Sequence, residues 1–141
     1  MTLYETVIRA MKGDLLARSH LIENAVRNGR HTVIAVDFDG TLCISDEPGR
    51  LVPNESLFSM ISMLREMGYE FILWTCRECG ELDEAVGWLD AQGIQFDAVN
   101  DNVPSIISIF GGTNSRKIHA DEYWDDRAVS VTAKEQICRA I

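Results

Sequence analysis

Two aspartates, Asp37 and Asp39, lie two residues apart in the motif DFDGTL, directly after an apolar run. Carboxylates placed in this way can bind a cation, attack an electrophile or transfer a proton. A hydroxyl, a lysine and an acidic pair also stand beside apolar runs, namely Thr75, Lys117 and Asp125–Asp126. Acids, a cation and a hydroxyl together can handle an anion, and phosphate is the commonest anion handled in this way.

Four apolar runs predict the β-strands that carry these groups. The first, over residues 32–36, is continuous and rich in β-branched side chains, which is typical of a strand buried on both faces of a parallel sheet. The others cover residues 69–74, 94–99 and 118–124, and polar residues interrupt the last of them. Apolar residues at helical spacing lie between the strands, which indicates an α/β fold with right-handed crossovers.

The helices are predicted from apolar spacing and from the residues that begin and end helices. Residues 2–28 form an additional N-terminal helical segment, which begins at a Thr2–Glu5 capping box and is interrupted at Gly13–Asp14. Four further helices are expected after Asn54, over 82–89, from Pro104 and over 132–140. No linker or repeat is visible, so we expect a single domain over residues 1–141.

The charge balance excludes some classes of function. The 141 residues include 13 Lys and Arg against 22 Asp and Glu, a formal charge of −9. A nucleic-acid binder or a protein of anionic membranes needs a basic face, so the charge argues against both kinds of partner. No run approaches the ~18–20 apolar residues of a membrane span, and no signal peptide is evident. The four scattered cysteines do not suit a secreted disulfide framework, and we expect a cytoplasmic protein.

Open α/β sheets bind ligands at the carboxyl ends of their strands, where these groups are expected to meet. The four aspartates named above, crowded together, would repel one another by several kcal/mol at an effective dielectric of about 20. A divalent cation removes that repulsion, and oxygen ligands without nearby His or Cys favour Mg²⁺ over Zn²⁺. The residues alone therefore predict a magnesium-assisted anion site.

The motif DFDGTL after an apolar strand resembles the DxDGT(L) signature of the haloacid dehalogenase (HAD) superfamily of phosphohydrolases. Thr75, Lys117 and Asp125–Asp126 follow in that family's order, and the resemblance covers residues 32 to about 130, the expected catalytic core. It implies a three-layer α/β/α, Rossmann-like fold. It also implies a Mg²⁺-dependent phosphatase, because the family's dehalogenases lack the acid at position 39. The runs WTCRE, FDAVNDN and KIHADEYWDD are similar to those of small bacterial and phage hydrolases of unassigned substrate.

The resemblance implies a role for each residue. Asp37 would attack phosphorus to form an aspartyl-phosphate, and Asp39 would protonate the leaving alkoxide and then activate water. Thr75 would bind a phosphoryl oxygen through its hydroxyl and backbone, and Lys117 would pair with Asp37 and the phosphate. The Mg²⁺ ligands would be Asp37, the Asp39 backbone carbonyl, Asp125 and Asp126, with Asp126 favoured as the direct ligand of the acidic pair. Substrate contacts are expected from Gly40, Thr41, Cys76 and Arg77.

The sequence departs from the family's pattern in two places. The family usually carries a cap domain after the first motif or after the second strand. Here only residues 43–53 separate the motif from the next helix, and Gly80 leads directly into another helix, so no sizeable cap is expected. The last strand is unusually polar, and Asp121–Glu122 within it is a rival for the acidic pair.

Two other functions stay open. A nucleic-acid-end phosphatase would suit an open site, but such enzymes need a basic track and the charge here is −9. A receiver-like module would accept phosphate at Asp37 as a signal, but Asp39 is the residue that would hasten its loss. A small-molecule phosphate ester is therefore the favoured substrate.

Two further features have competing explanations. Cys76 and Cys79 match a CxxC spacing that occurs in redox sites and zinc sites, and a zinc site would also require Cys43 and His119. A chance match is favoured over both. The 2–28 segment either covers one edge of the sheet or forms a homodimer contact.

Overall fold

The computed structural model describes residues 1–27, 32–45 and 47–131, and the predicted helix over 132–140 lies outside them. The elements, in chain order, are α1 (Leu3–Met11), α2 (Leu15–Arg27), β1 (Val33–Val36), α3 (Glu55–Glu66), β2 (Glu70–Leu73), α4 (Cys79–Ala91), β3 (Ala98–Val99), α5 (Pro104–Ile109) and β4 (Glu122–Trp124). These strands form one parallel sheet in the order β3-β2-β1-β4. No helix in the described ranges has the length and apolarity needed to cross a membrane.

The order of the strands reverses at β1. The chain steps outward from β1 to β2 and β3, and then returns to place β4 on the other side of β1. Right-handed crossovers in opposite directions place their helices on opposite faces of a sheet. The packing of the core shows this arrangement. Helices α1 to α4 pack with Ile34 and Phe71 on one face of the sheet, whereas α5 packs with Val33 and Ile72 on the other. The predicted three-layer, Rossmann-like α/β fold is confirmed.

The N-terminal segment is a pair of helices that packs beside β4. Thr2 begins α1 with the predicted capping box, and Gly13, with φ +98°, separates the two helices. Asp14 then begins α2, because its carboxylate accepts hydrogen bonds of 3.1 Å from two amides of the first turn. Tyr4 packs edge-on against Trp124, with their ring centroids 5.1 Å apart. The predicted interruption is therefore observed, and the segment covers the β4 side of the sheet.

Strands β1 and β2 agree with the predicted ranges to within one residue at each end, but β3 is shorter. It covers Ala98–Val99 rather than 94–99. The Asp97 carboxylate accepts a hydrogen bond of 2.7 Å from the Phe71 N–H, so a side chain takes the place of a main-chain partner.

Strand β4 is also shorter than predicted and covers Glu122–Trp124 rather than 118–124. The reason is similar, because the Asp121 carboxylate accepts a hydrogen bond of 2.8 Å from the Val33 N–H and ends the main-chain ladder there.

The two connections that could hold a cap are short. After β1 the chain folds back as a small hairpin, in which Cys43 bridges Pro53 and the Ile44 N–H donates to the Val52 carbonyl at 2.9 Å. Helix α4 begins at Cys79, soon after β2 ends. Neither connection, as far as the structure describes it, contains a separate folded unit.

Candidate functional site

Asp37 and Asp125 follow adjacent strands at the same height of the sheet. The backbone ladder continues one residue past the strands, because the Asp37 N–H donates to the Trp124 carbonyl and the Trp74 N–H to the Val36 carbonyl, both at 2.9 Å. Val36 is paired with Trp124, so the next residue on each strand is one of the two aspartates. This position, between β1 and β4, is where the strand order reverses and where open α/β sheets bind ligands.

Three carboxylates meet at this position. Oxygen atoms of Asp37, Asp125 and Asp126 all lie within 4.8 Å of one another, with Asp37 half-buried and the other two exposed. Among the described residues this is the one group of three or more His, Cys, Asp or Glu side chains close enough to share a cation. Its donors are all carboxylate oxygens, which are the ligands that Mg²⁺ prefers.

The DFDGTL loop fits closely against the acidic pair at Gly40. This glycine has φ +84°, and a Cβ atom there would lie 2.3 Å from Asp126 Oδ2 and 2.8 Å from its Cγ. Any other residue would therefore push the Asp126 carboxylate away. The absence of a side chain at Gly40 is what allows Asp126 to reach the cluster.

Burial and like charge raise the pKa of Asp37 to about 6 from the ordinary value of 3.8. The largest cause is the loss of hydration, and repulsion from Asp125 adds to it. Hydrogen bonds from the Phe38 N–H and from the Thr41 hydroxyl, the latter at 3.3 Å, lower the pKa by less. The three carboxylates are thus held together at an electrostatic cost that a cation would relieve.

We expect Asp37 to contribute stability to the metal-free protein that is lost as the pH rises from about 4 to about 6. Asp37 has a pKa of about 6 in the folded state and near 3.9 in the unfolded state. The folded state therefore binds the proton more tightly, and this contribution is lost across that window. With EDTA present, Asp37→Asn should raise the free energy of unfolding at pH 7.5 by about 1–2 kcal/mol, after allowance for solvent screening. Urea unfolding should show that the variant gains less stability over the wild type at pH 4 than at pH 7.5. Equal free energies of unfolding for the two proteins at pH 7.5 would contradict the expectation.

Asp39 does not join the carboxylate cluster through its side chain. Both of its oxygens accept hydrogen bonds from the Arg77 guanidinium at 2.9 Å. Arg77 is held in turn by Phe38, whose ring centroid lies 4.7 Å from the guanidinium carbon, and by the Glu81 carbonyl. We predicted Arg77 as a substrate contact. In this structure it forms a bidentate pair with Asp39, a geometry that guanidinium and carboxylate groups favour. The expectation that the Asp39 backbone carbonyl binds Mg²⁺ stays a prediction.

Thr75 follows β2 and is half-buried. Its hydroxyl accepts a hydrogen bond of 3.1 Å from the Arg77 N–H, which leaves the hydroxyl proton for another acceptor. Its own N–H donates to Asn100 Oδ1 at 2.8 Å. The binding of an anion by this hydroxyl stays a prediction, whereas the backbone amide that we also expected to bind phosphate is used by Asn100. Cys76, the next residue, is exposed at the rim.

Lys117 lies in the loop before β4 and is exposed. Its backbone carbonyl accepts a hydrogen bond of 2.7 Å from the Ser115 hydroxyl. Within the described ranges its ammonium group has no ion-pair partner. The predicted contact of Lys117 with Asp37 stays a prediction.

The rival acidic pair, Asp121–Glu122, lies at the amino-terminal end of β4. The Asp121 carboxylate binds the Val33 N–H, and the Glu122 carboxylate accepts hydrogen bonds from the Leu3 and Tyr4 N–H groups at the start of α1. A carboxylate at a helix N-terminus satisfies amides that the helix itself leaves without partners. These two acids therefore anchor the sheet and α1, and Asp125–Asp126 is the pair that meets Asp37.

The cysteines of the described ranges do not lie together as a zinc site would require. Cys43 is buried in the core, with 2% of its surface exposed, whereas Cys76 and Cys79 are exposed near the start of α4. No cysteine or histidine of the described ranges belongs to a group that could share a metal ion.

A solved structure of a conserved protein from Bacteroides thetaiotaomicron is similar to this chain. The match has 36% sequence identity and a TM-score of 0.59, and it covers 71% of this chain and 79% of that protein. The description of that structure names no activity. No family model matches this chain, and no curated protein matches it.

Proposed function

The chain belongs to the same protein family as the conserved Bacteroides thetaiotaomicron protein, and we propose that it is a Mg²⁺-dependent phosphomonoester hydrolase that works through an aspartyl-phosphate. The observation that carries this proposal is the approach of Asp37, Asp125 and Asp126 to within 4.8 Å of one another where the strand order reverses. The resemblance of the DFDGTL motif to the HAD signature supports the type of reaction.

Mg²⁺ suits the donors that are present. Asp37, Asp125 and Asp126 offer only carboxylate oxygens, and the loop at Gly40 leaves space for one of them. These three side chains would hold the ion. When bound, it would neutralise their charge and so allow a phosphate dianion to approach.

In the first step, a carboxylate oxygen of Asp37 attacks phosphorus, and the bond from phosphorus to the ester oxygen breaks. Asp39 gives its proton to the departing oxygen, which leaves as an alcohol. Because both Asp39 oxygens accept hydrogen bonds from Arg77 at 2.9 Å, the carboxylate must leave that partner and take up a proton from solvent before it can act as the acid.

In the second step, water attacks the phosphorus of the aspartyl-phosphate. Asp39 accepts the proton from this water, inorganic phosphate leaves, and Asp37 regains its carboxylate. The Thr75 hydroxyl donates to a phosphoryl oxygen, and the Lys117 ammonium supplies positive charge to the phosphate during both steps.

The charge near the site favours a small substrate over a nucleic acid. Asp39 raises the pKa of Arg77 most strongly, and Glu84 and Glu81 add to the effect, so this arginine is surrounded by acids. A polyanion would meet these carboxylates as well as a formal charge of −9. We therefore propose a small-molecule phosphate ester as the substrate.

A panel of phosphate esters tests the proposal. We expect Mg²⁺-dependent phosphate release from p-nitrophenyl phosphate and from some sugar phosphates or mononucleotides, with loss in EDTA and recovery in excess Mg²⁺. Faster phosphate release from a 3′-phosphorylated oligonucleotide than from these small esters would favour the nucleic-acid-end phosphatase instead. An aspartyl-phosphate that persists for many minutes would indicate a receiver-like module. A folded protein that releases no phosphate from any member of the panel would refute the proposal.

A further inference from the structure

The loop that carries Lys117 is attached to the end of β3. The ladder continues past β3, since the Asn100 N–H donates to the Leu73 carbonyl at 2.8 Å, so Asn102 follows close behind the carboxyl end of that strand. After α5 the chain comes back to this point before it enters β4 from the amino-terminal end, where the Asp121 N–H donates to the Val33 carbonyl at 2.7 Å. Lys117 lies within the returning stretch.

We propose that Asn102 is a positioning residue that holds Lys117 on the carboxyl side of the sheet. This inference rests on the proposed function, in which Lys117 binds the phosphate. Asn102 does not need to touch the substrate, because it acts through the backbone on both sides of the lysine.

The hydrogen bonds of the Asn102 side chain lie on either side of Lys117. Its Nδ2 donates to Asn114 Oδ1 at 2.9 Å and to the Ser115 carbonyl at 3.2 Å. Its Oδ1 accepts a hydrogen bond of 2.6 Å from the His119 N–H. Asn114 and Ser115 before the lysine and His119 after it are therefore bound to one carboxamide group.

The neighbouring side chains strengthen this attachment. Asp101 Oδ1 accepts hydrogen bonds from the Asn102 N–H at 2.8 Å and from Asn114 Nδ2 at 2.9 Å. The Ser115 hydroxyl donates to the carbonyl of Lys117 itself. The backbone of the lysine is thus fixed from both directions, although its side chain is exposed.

The burial of Asn102 explains why the attachment resists opening. Its side chain is polar, yet only 4% of the residue's surface is exposed. A buried amide that loses its partners costs about 1–3 kcal/mol, so the loop cannot move away without leaving these groups unsatisfied. A loop held in this way returns the long lysine side chain to the same region and reduces the entropy that phosphate binding must overcome.

Binding of inorganic phosphate in saturating Mg²⁺ tests this role without any need for turnover. Calorimetry would compare the wild type with Asn102→Ala, Lys117→Ala and the double variant. Each single change is expected to weaken phosphate binding about tenfold, a loss of about 1.4 kcal/mol. The double variant is expected to bind no more weakly than Lys117→Ala, because residues that act through one group are not additive.

Two more variants complete the design. Ser105→Ala removes a hydrogen bond of 2.9 Å to Glu70, at the amino-terminal end of β2, and should leave phosphate affinity unchanged. Asn114→Ala removes an exposed partner of Asn102 and should weaken binding in the same direction, which keeps the test valid if Asn102→Ala does not fold.

Three results would overturn the positioning role. The first is a double variant whose loss of phosphate affinity equals the product of the two single losses. The second is an unchanged phosphate affinity in folded Asn102→Ala and Asn114→Ala, and the third is a wild type that does not bind phosphate. The expected pattern in a protein that hydrolyses no ester would support the positioning role and refute the hydrolase.

Discussion

Asp37→Asn is expected to lower the Mg²⁺-dependent hydrolysis of p-nitrophenyl phosphate by at least about 10⁴-fold. An amide cannot form the bond to phosphorus that the carboxylate forms, and its shape is otherwise nearly the same. Steady-state measurement of kcat/KM provides the test. Because removal of this charge should stabilise the metal-free fold, unfolding would not account for the lost activity.

Asp83→Asn is the matched control, since it makes the same chemical change on the exposed surface of α4. We expect its kcat/KM to stay within about twofold of the wild type, because isolated surface changes have small effects. An Asp37→Asn protein that keeps more than about 1% of the wild-type rate would exclude Asp37 as the nucleophile.

Gly40→Ala is expected to weaken Mg²⁺ binding by about 10–100-fold, the range seen when the support of a metal ligand is lost. The new methyl group would lie 2.3 Å from Asp126 Oδ2, so this carboxylate would have to leave the cluster. Calorimetric titration with Mg²⁺ measures the loss. Hydrolysis at low Mg²⁺ should fall in parallel and recover in part at high Mg²⁺.

Gly49→Ala is the control that distinguishes the effect of the contact with Asp126 from the effect of backbone strain. Gly49 has φ +77°, close to the +84° of Gly40, but nothing lies within 4 Å of the position of its Cβ. Both variants should lose about 1–2 kcal/mol of stability, because a non-glycine residue is strained in this conformation. Only Gly40→Ala should lose Mg²⁺ affinity. Equal losses of affinity in the two variants would show that the approach of Asp126 to Gly40 is unimportant.

The fold could be predicted where local pattern and tertiary structure agree. The continuous apolar run before Asp37 has no competing explanation, and the strand, its burial and its central place in the sheet follow from it. The ends of β3 and β4 could not be predicted, because the carboxylates of Asp97 and Asp121 replace main-chain partners there. Which amide a side chain binds depends on the neighbouring strand, and the local sequence does not contain that information.

The carboxylate cluster could be predicted as far as the topology of the sheet decides it. The meeting of Asp37 with Asp125–Asp126 follows from one topological rule, that parallel strands end on one side of the sheet. The pairing of Arg77 with Asp39 did not follow, because it depends on the path of the chain after β2. Asn102 lies in the run NDN, whose residue types are as typical of a turn as of a pocket lining. Its burial is a property of the fold alone.

The short length of β4 has a consequence for the precision of the site. A strand of three residues at the edge of a sheet could slip by one residue, which would turn Trp124 to the other face of the sheet and place Asp126 beside Asp37. Asp121 and Glu122 prevent this slippage, since one is bound to the amide of Val33 and the other to the first amides of α1. Helix α1, at the start of the chain, thereby contributes to the alignment of the aspartates on which the proposed chemistry depends.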